Sequence, residues 1–162
     1  MFVDYKKAKE QADILLQKAK INSYPVNLAA ILNFLGLDAK YSDKIEYEAM
    51  LSPKEKTIFI RKDTLPMTRK FFSIAHEIGH WVLHSHDKQR PRINLELAQQ
   101  VDDIDIKEEK EANAFASELL MPYDEVRKLI MIGYSPQNLQ EYFDVSYSFA
   151  YNRYEAVYRM IY

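Results

Sequence analysis

Residues 71–86 read Phe71-Phe72-Ser73-Ile74-Ala75-His76-Glu77-Ile78-Gly79-His80-Trp81-Val82-Leu83-His84-Ser85-His86. Within them His76-Glu77-Ile78-Gly79-His80 is an H-E-x-x-H pattern with apolar residues on both sides. On a helix, positions i and i+4 share one face, a turn apart. The rise of about 1.5 Å per residue sets their Cα atoms roughly 6 Å apart. Two imidazoles so placed can bring a nitrogen each to one zinc ion at about 2.0–2.1 Å. Glu77 then projects beside the metal, where a carboxylate can take a proton from water. The pattern predicts a helix from about Met67 to His84 that carries part of a metal site.

Working outward, 162 residues suffice for one domain with a real core. The chain is 48% hydrophobic and 28% charged, with a net charge of −2, so no electrostatic excess favours nucleic acid or an anionic membrane. Cysteine is absent, which excludes disulfides, thiolate metal sites and a thiol nucleophile. The N-terminus lacks an apolar signal core, and no apolar run approaches the roughly 20 residues that span a bilayer. A cytoplasmic location is expected.

Apolar residues from Tyr5 to Lys20 follow a helical period. Asn27–Leu35 forms a second short helix pattern, stopped by Gly36. Leu37–Ile45 and Tyr47–Leu51 look extended, and Thr57–Arg61 is the best strand, β-branched and aromatic. The expected unit is a small antiparallel hairpin or meander. Asn94–Asp105 has no clear period and reads as a loop. Ile106–Met121 and Asp124–Met131 are further helix patterns. Ser135-Pro136 is a helix start, and the L-x-x-Y-F-x-V-S run from Leu139 to Ser146 resembles a helix-turn-helix. Four Lys or Arg against five Asp or Glu beyond Tyr123 argue against direct DNA binding there. No internal repeat is visible.

A catalytic zinc takes three protein ligands and keeps one position open. His86 would need a chain turn after His80, yet Leu83 stands where zincins of that spacing carry glycine. His84 lies about 12 Å along the axis from His76, too far for one ion, and is expected near the site as a support or proton donor. The remaining source is the acidic run Glu108-Glu109-Lys110-Glu111-Ala112-Asn113. Glu109 and Asn113 share a face, so Glu109 is the expected third ligand and Asn113 a bond to a histidine's outer nitrogen. Glu111 is the runner-up, and small Ala112 would let two helices approach.

FSIAHEIGHWVLH followed by EKEANAFASELLMP resembles the ImmA/IrrE family of zinc metallopeptidases, with weaker likeness from Val26 to the end. The resemblance implies an α+β zincin-like domain: a small antiparallel or mixed sheet on several helices, with a mostly helical C-terminal half. It implies a single metallopeptidase domain over 1–162, residues 1–122 forming the catalytic core and 123–162 a C-terminal helical segment. It implies Zn2+ held by His76, His80 and Glu109, with Glu77 as general base. Members are intracellular, often encoded by mobile elements or stress regulons, and cleave a helix-turn-helix repressor. With no DNA-binding domain ahead of the peptidase, that repressor would be another polypeptide. The terminal segment departs from the pattern in being Tyr-rich and in having Asp144 where glycine is common.

The mechanism expected is peptide hydrolysis, with His84 or a tyrosine as a further oxyanion donor and Thr57–Arg61 pairing with an extended substrate. The alternative is a non-proteolytic regulatory module, or a toxin–antitoxin component, that acts by protein–protein contact. A base placed beside two ligands favours the enzyme, because a purely structural site has no use for one.

Overall fold

The computed structural model describes residues 2–90 and 102–162. Their order is α1 (Tyr5–Lys18), α2 (Leu28–Leu35), β1 (Asp38–Ser42), β2 (Ala49–Ser52), β3 (Thr57–Arg61), α3 (Met67–Leu83), α4 (Asp103–Leu120), α5 (Tyr123–Met131), α6 (Pro136–Phe143) and α7 (Tyr147–Ile161). The fold is α+β, a small mixed sheet on several helices with a mostly helical C-terminal half.

Local chemistry accounts for most boundaries. The Asp4 carboxylate accepts the Lys7 N–H at the start of α1. Asn27 does the same for Ala30 in α2, which ends at Gly36 in the left-handed region with φ 70°. Ser135 and Asn138 form a reciprocal cap on α6, with Pro136 in its first turn. Asp144 ends α6 at φ 50°, a conformation Asp tolerates through its short polar side chain. The departure from glycine there is accommodated. α4 begins three residues earlier than its apolar period suggests, because Asp102 accepts the Ile104 N–H as its cap. Of the stretch Asn94–Asp105 expected as a loop, residues 94–101 lie outside the described residues, and Asp103–Asp105 are helical.

The sheet order is β1-β3-β2, with β1 parallel and β2 antiparallel to β3. The chain therefore does not make a simple meander. The β1 strand is laid beside β3 rather than beside its sequence neighbour β2. Thr57–Arg61 becomes the central strand, hydrogen-bonded on both edges, which overturns its expected pairing with substrate. A proline in β3 would break the ladder itself.

In the antiparallel pair the Arg61 N–H donates to Glu48 O at 2.8 Å. By the alternation of that ladder, Met50 and Ser52 also face β3, while Ala49 and Leu51 turn their amides to the other edge of β2. That edge meets α3. The core runs from the inner sheet face (Ile58, Ile60, Leu51) through Ile74 and Ile78 of α3 to Phe115 and Leu119 of α4, all buried. Lys70, 2% exposed, pins α3 to the sheet by donating to Arg61 O and to Asp63, both at 2.6 Å. Among the described residues no helix is long and apolar enough to cross a membrane.

Candidate metal centre

α3 and α4 form the main helix pair of the fold, and they meet at Gly79. A Cβ there would lie 3.1 Å from Phe115 Cδ1 and 3.2 Å from both Cα and O of Ala112. The absence of that one carbon lets the backbones approach. His76 and His80 flank Gly79 on α3, and Glu109 stands one turn before Ala112 and Asn113 on α4.

The structure brings His76, His80 and Glu109 together. Their side-chain atoms form one triangle: His76 Nε2 to His80 Nε2 is 3.0 Å, His80 Nε2 to Glu109 Oε1 is 2.9 Å, and His76 Nε2 to Glu109 Oε1 is 3.3 Å. A tetrahedral ion with bonds of about 2.05 Å has ligand–ligand edges of roughly 3.3 Å. Two ring nitrogens and a carboxylate oxygen converging so closely need a cation or shared protons between them. The three residues are 0–2% exposed, so the charge is not dissipated into water. Donor type, spacing and burial all fit a zinc-type ion, and the same three residues form a group that could hold a metal.

Electrostatics point the same way. Burial opposes ionisation of Glu109, but hydrogen bonds from the His76 and His80 rings, and their charge, outweigh it and hold the carboxyl at about 2. Burial lowers His80 below the ordinary imidazole range, against the opposing hydrogen bond of Glu109. A carboxyl that ionises easily and a ring whose proton is held weakly are both suited to giving up protons to a metal.

The outer shell is equally defined. Asn113 Oδ1 lies 2.8 Å from His76 Nδ1 and accepts its proton, which turns the Nε2 lone pair inward. Glu77, 2% exposed, accepts the outward Leu51 N–H of β2 at Oε2, 3.0 Å away. That amide fixes the rotation of the carboxylate.

The remaining candidates are placed away from the triangle. His86 stacks on Trp81 with ring centroids 3.8 Å apart and bonds Trp81 O at 2.7 Å. It closes the end of α3 and is not near the ligands. His84 lies with Nδ1 2.9 Å from His80 Nδ1 and Nε2 3.1 Å from Glu111 Oε2. Both its ring nitrogens are engaged, which removes it as an oxyanion donor. Glu111, the runner-up ligand, is thus a partner of His84. Glu108 is taken by Arg90, whose Nε donates at 2.6 Å and Nη2 at 3.2 Å. No sequence signal announced the Leu51 amide or the Arg90 pairing, since one is a backbone group and the other joins segments 18 residues apart.

A family model, Peptidase_M78 (IrrE N-terminal-like domain), matches residues 30–155. Among solved structures, a Mycobacterium tuberculosis transcriptional regulator is similar, with a TM-score of 0.63 and 17% sequence identity. The match covers 90% of this chain and 45% of that one, so this chain spans less than half its length. At that identity the likeness is one of fold. A search of curated proteins finds no match.

Proposed function

Since the chain belongs to the Peptidase_M78 metallopeptidase family, we propose that it is a zinc-dependent endopeptidase that cleaves a helix-turn-helix transcriptional repressor and so relieves repression. The observation that carries the reading is the buried triangle of His76 Nε2, His80 Nε2 and Glu109 Oε1, with Glu77 beside it on the same helix. His76, His80 and Glu109 would hold the ion. When bound, zinc supplies a Lewis acid that polarises a peptide carbonyl and brings the pKa of water toward neutrality.

Glu77 takes the proton of the attacking water on its carboxylate and delivers it to the leaving amine nitrogen. The Leu51 amide keeps that carboxylate oriented throughout. Asn113 keeps His76 in the tautomer that offers Nε2. An extended substrate would meet β2, the strand on the α3 side, rather than the central β3. We assign residues 1–122 as catalytic core and 123–162 as a helical segment of the same domain. Supporting this, Arg153 of α7 donates to Met121 O at 2.9 Å and to Glu118 at 2.5 Å, at the end of α4.

The test is Glu77→Gln, incubated with zinc and the repressor encoded by a neighbouring gene. Zinc content of about one per chain should persist while cleavage falls by roughly 10²–10⁴. Cleavage at the wild-type rate would overturn the mechanism. Derepression in cells without cleavage would favour the contact-based alternative.

A further inference from the structure

The outer nitrogen of a histidine decides which nitrogen it offers to a metal. For His76 that partner is the Asn113 oxygen. For His80 it is another imidazole. His80 Nδ1 and His84 Nδ1 are 2.9 Å apart, a contact that holds one proton, donated by one ring and accepted by the other. The direction is set further out. His84 Nε2 meets Glu111 Oε2 at 3.1 Å, and Glu111 Oε1 accepts the backbone N–H of Asp4 at 2.8 Å. Lys107 Nζ stands 3.7 Å from the same carboxylate.

A carboxylate accepts, so His84 carries its proton on Nε2 and presents a lone pair at Nδ1. His80 then carries its proton on Nδ1 and keeps the Nε2 lone pair for the triangle. Reversed polarity would put a proton on His80 Nε2, where the metal must sit. His84 is half-buried and Glu111 buried, with side chains 6% and 10% exposed, so both links are largely shielded from water.

We propose that Glu111, acting through His84, is a positioning residue that holds His80 in its metal-binding tautomer, and that the Asp4 amide at the head of α1 anchors this relay. The proposal rests on the zinc reading above and adds two residues that touch neither metal nor substrate.

Glu111→Gln is the discriminating variant because it keeps shape and reverses polarity. If the glutamine oxygen accepts the Asp4 N–H, its amide NH2 faces His84 Nε2, which must then lose its proton. The proton moves to His84 Nδ1, and His80 is driven to the wrong tautomer. The opposite amide orientation sets NH2 against the Asp4 N–H. Zinc affinity, measured on the full chain by competition with a chromophoric chelator, should fall by about 10–100-fold. His84→Leu should fall as far. His84→Gln should recover most of the affinity, because its oxygen can accept from His80 and its NH2 can donate to Glu111. The 15N shifts of His80 at saturating zinc should report Nδ1–H with a metal-bound Nε2 in wild type, and in Glu111→Gln a population that keeps its proton on Nε2 and stays metal-free.

Wild-type zinc affinity in both Glu111→Gln and His84→Leu would overturn the relay and leave the zinc reading intact. Loss of thermal stability without a change in the His80 tautomer would also overturn it, as the marker of a packing role. A wild-type protein with no zinc affinity would sink the ligand set, and the relay with it.

Discussion

Gly79→Ala separates local helix preference from the demands of the site. Alanine in place of glycine within α3 favours the helix by about 1 kcal/mol. The added Cβ, however, would lie 3.1 Å from Phe115 Cδ1 and 3.2 Å from Cα and O of Ala112. Those distances are about 0.3–0.4 Å short of an optimal carbon contact near 3.5 Å. Two of the three atoms are backbone and Phe115 is fully buried, so no flexible side chain can step aside. α4 itself must move by a few tenths of an ångström. Overpacking of this kind costs about 1–3 kcal/mol. Against the propensity gain the expected net is about 1 kcal/mol of destabilisation, or a Tm lower by ~2–4 °C for a chain of this size. The same shift carries Glu109 away from His76 and His80, and a site held to within about 0.5 Å is sensitive to it. Zinc affinity should drop about tenfold. Circular dichroism melts of the metal-free protein and chelator competition measure the two effects separately. If Gly79→Ala melts higher than wild type and binds zinc as tightly, the close approach at Gly79 does not set the geometry of the site.

Arg153 donates to Glu118, which is 2% exposed, and to Met121 O. Arg153→Met leaves a buried carboxylate without its cation and should cost about 3 kcal/mol; a loss under about 1 kcal/mol in urea unfolding would show that α7 is not held through this pair. Asp13→Asn tests a carboxylate pair. Partial burial of the Asp13 carboxyl, then the charge and hydrogen bond of Glu118, push it up to about 6 from 3.8. A raised pKa means the protonated form suits the fold, so its contribution is present below pH 4 and is lost as pH rises through 6. Asp13→Asn should therefore melt above wild type at pH 7.5 and level with it at pH 4. Because residue 13 is exposed overall, the difference should shrink in high salt, and a variant less stable than wild type at pH 7.5 would contradict the pairing.

What the sequence disclosed follows from how each interaction is encoded. The placement of His76, Glu77 and His80 is legible because relative positions on one helix are fixed by its period alone. That Glu109 and Asn113 both meet His76 is legible for a related reason: i and i+4 spacing puts them on one face of a second helix, and Ala112 beside them signals close packing. The parallel placement of β1 against β3 was not legible. Strand patterns specify that Thr57–Arg61 is β, but a buried central strand and an edge strand of five residues differ mainly in what neighbours them. The Glu77–Leu51 link was hidden for a stronger reason, since any residue at 51 would supply the same amide.

His84 and Glu111 show where pattern reading misleads in a useful way. Both are metal-binding types near the motif, and the fold puts His84 against His80 and Glu111 against His84, outside the triangle. Side chains of ligand type are suited to the outer shell for the same reason they suit the inner one: they fix proton positions. A carboxylate at the far end of a chain of imidazoles forces each link to donate outward, which leaves a lone pair at the inner end. The i+4 step from His80 to His84 is the same step that unites His76 with His80, so one helical period builds both the site and its support. The two ends of that row are then closed by different residues of a single facing helix, Asn113 behind His76 and Glu111 behind His84, while Glu109 meets the inner nitrogens of His76 and His80. The helix period of α3 supplies the nitrogens, and α4 decides which of them carry protons.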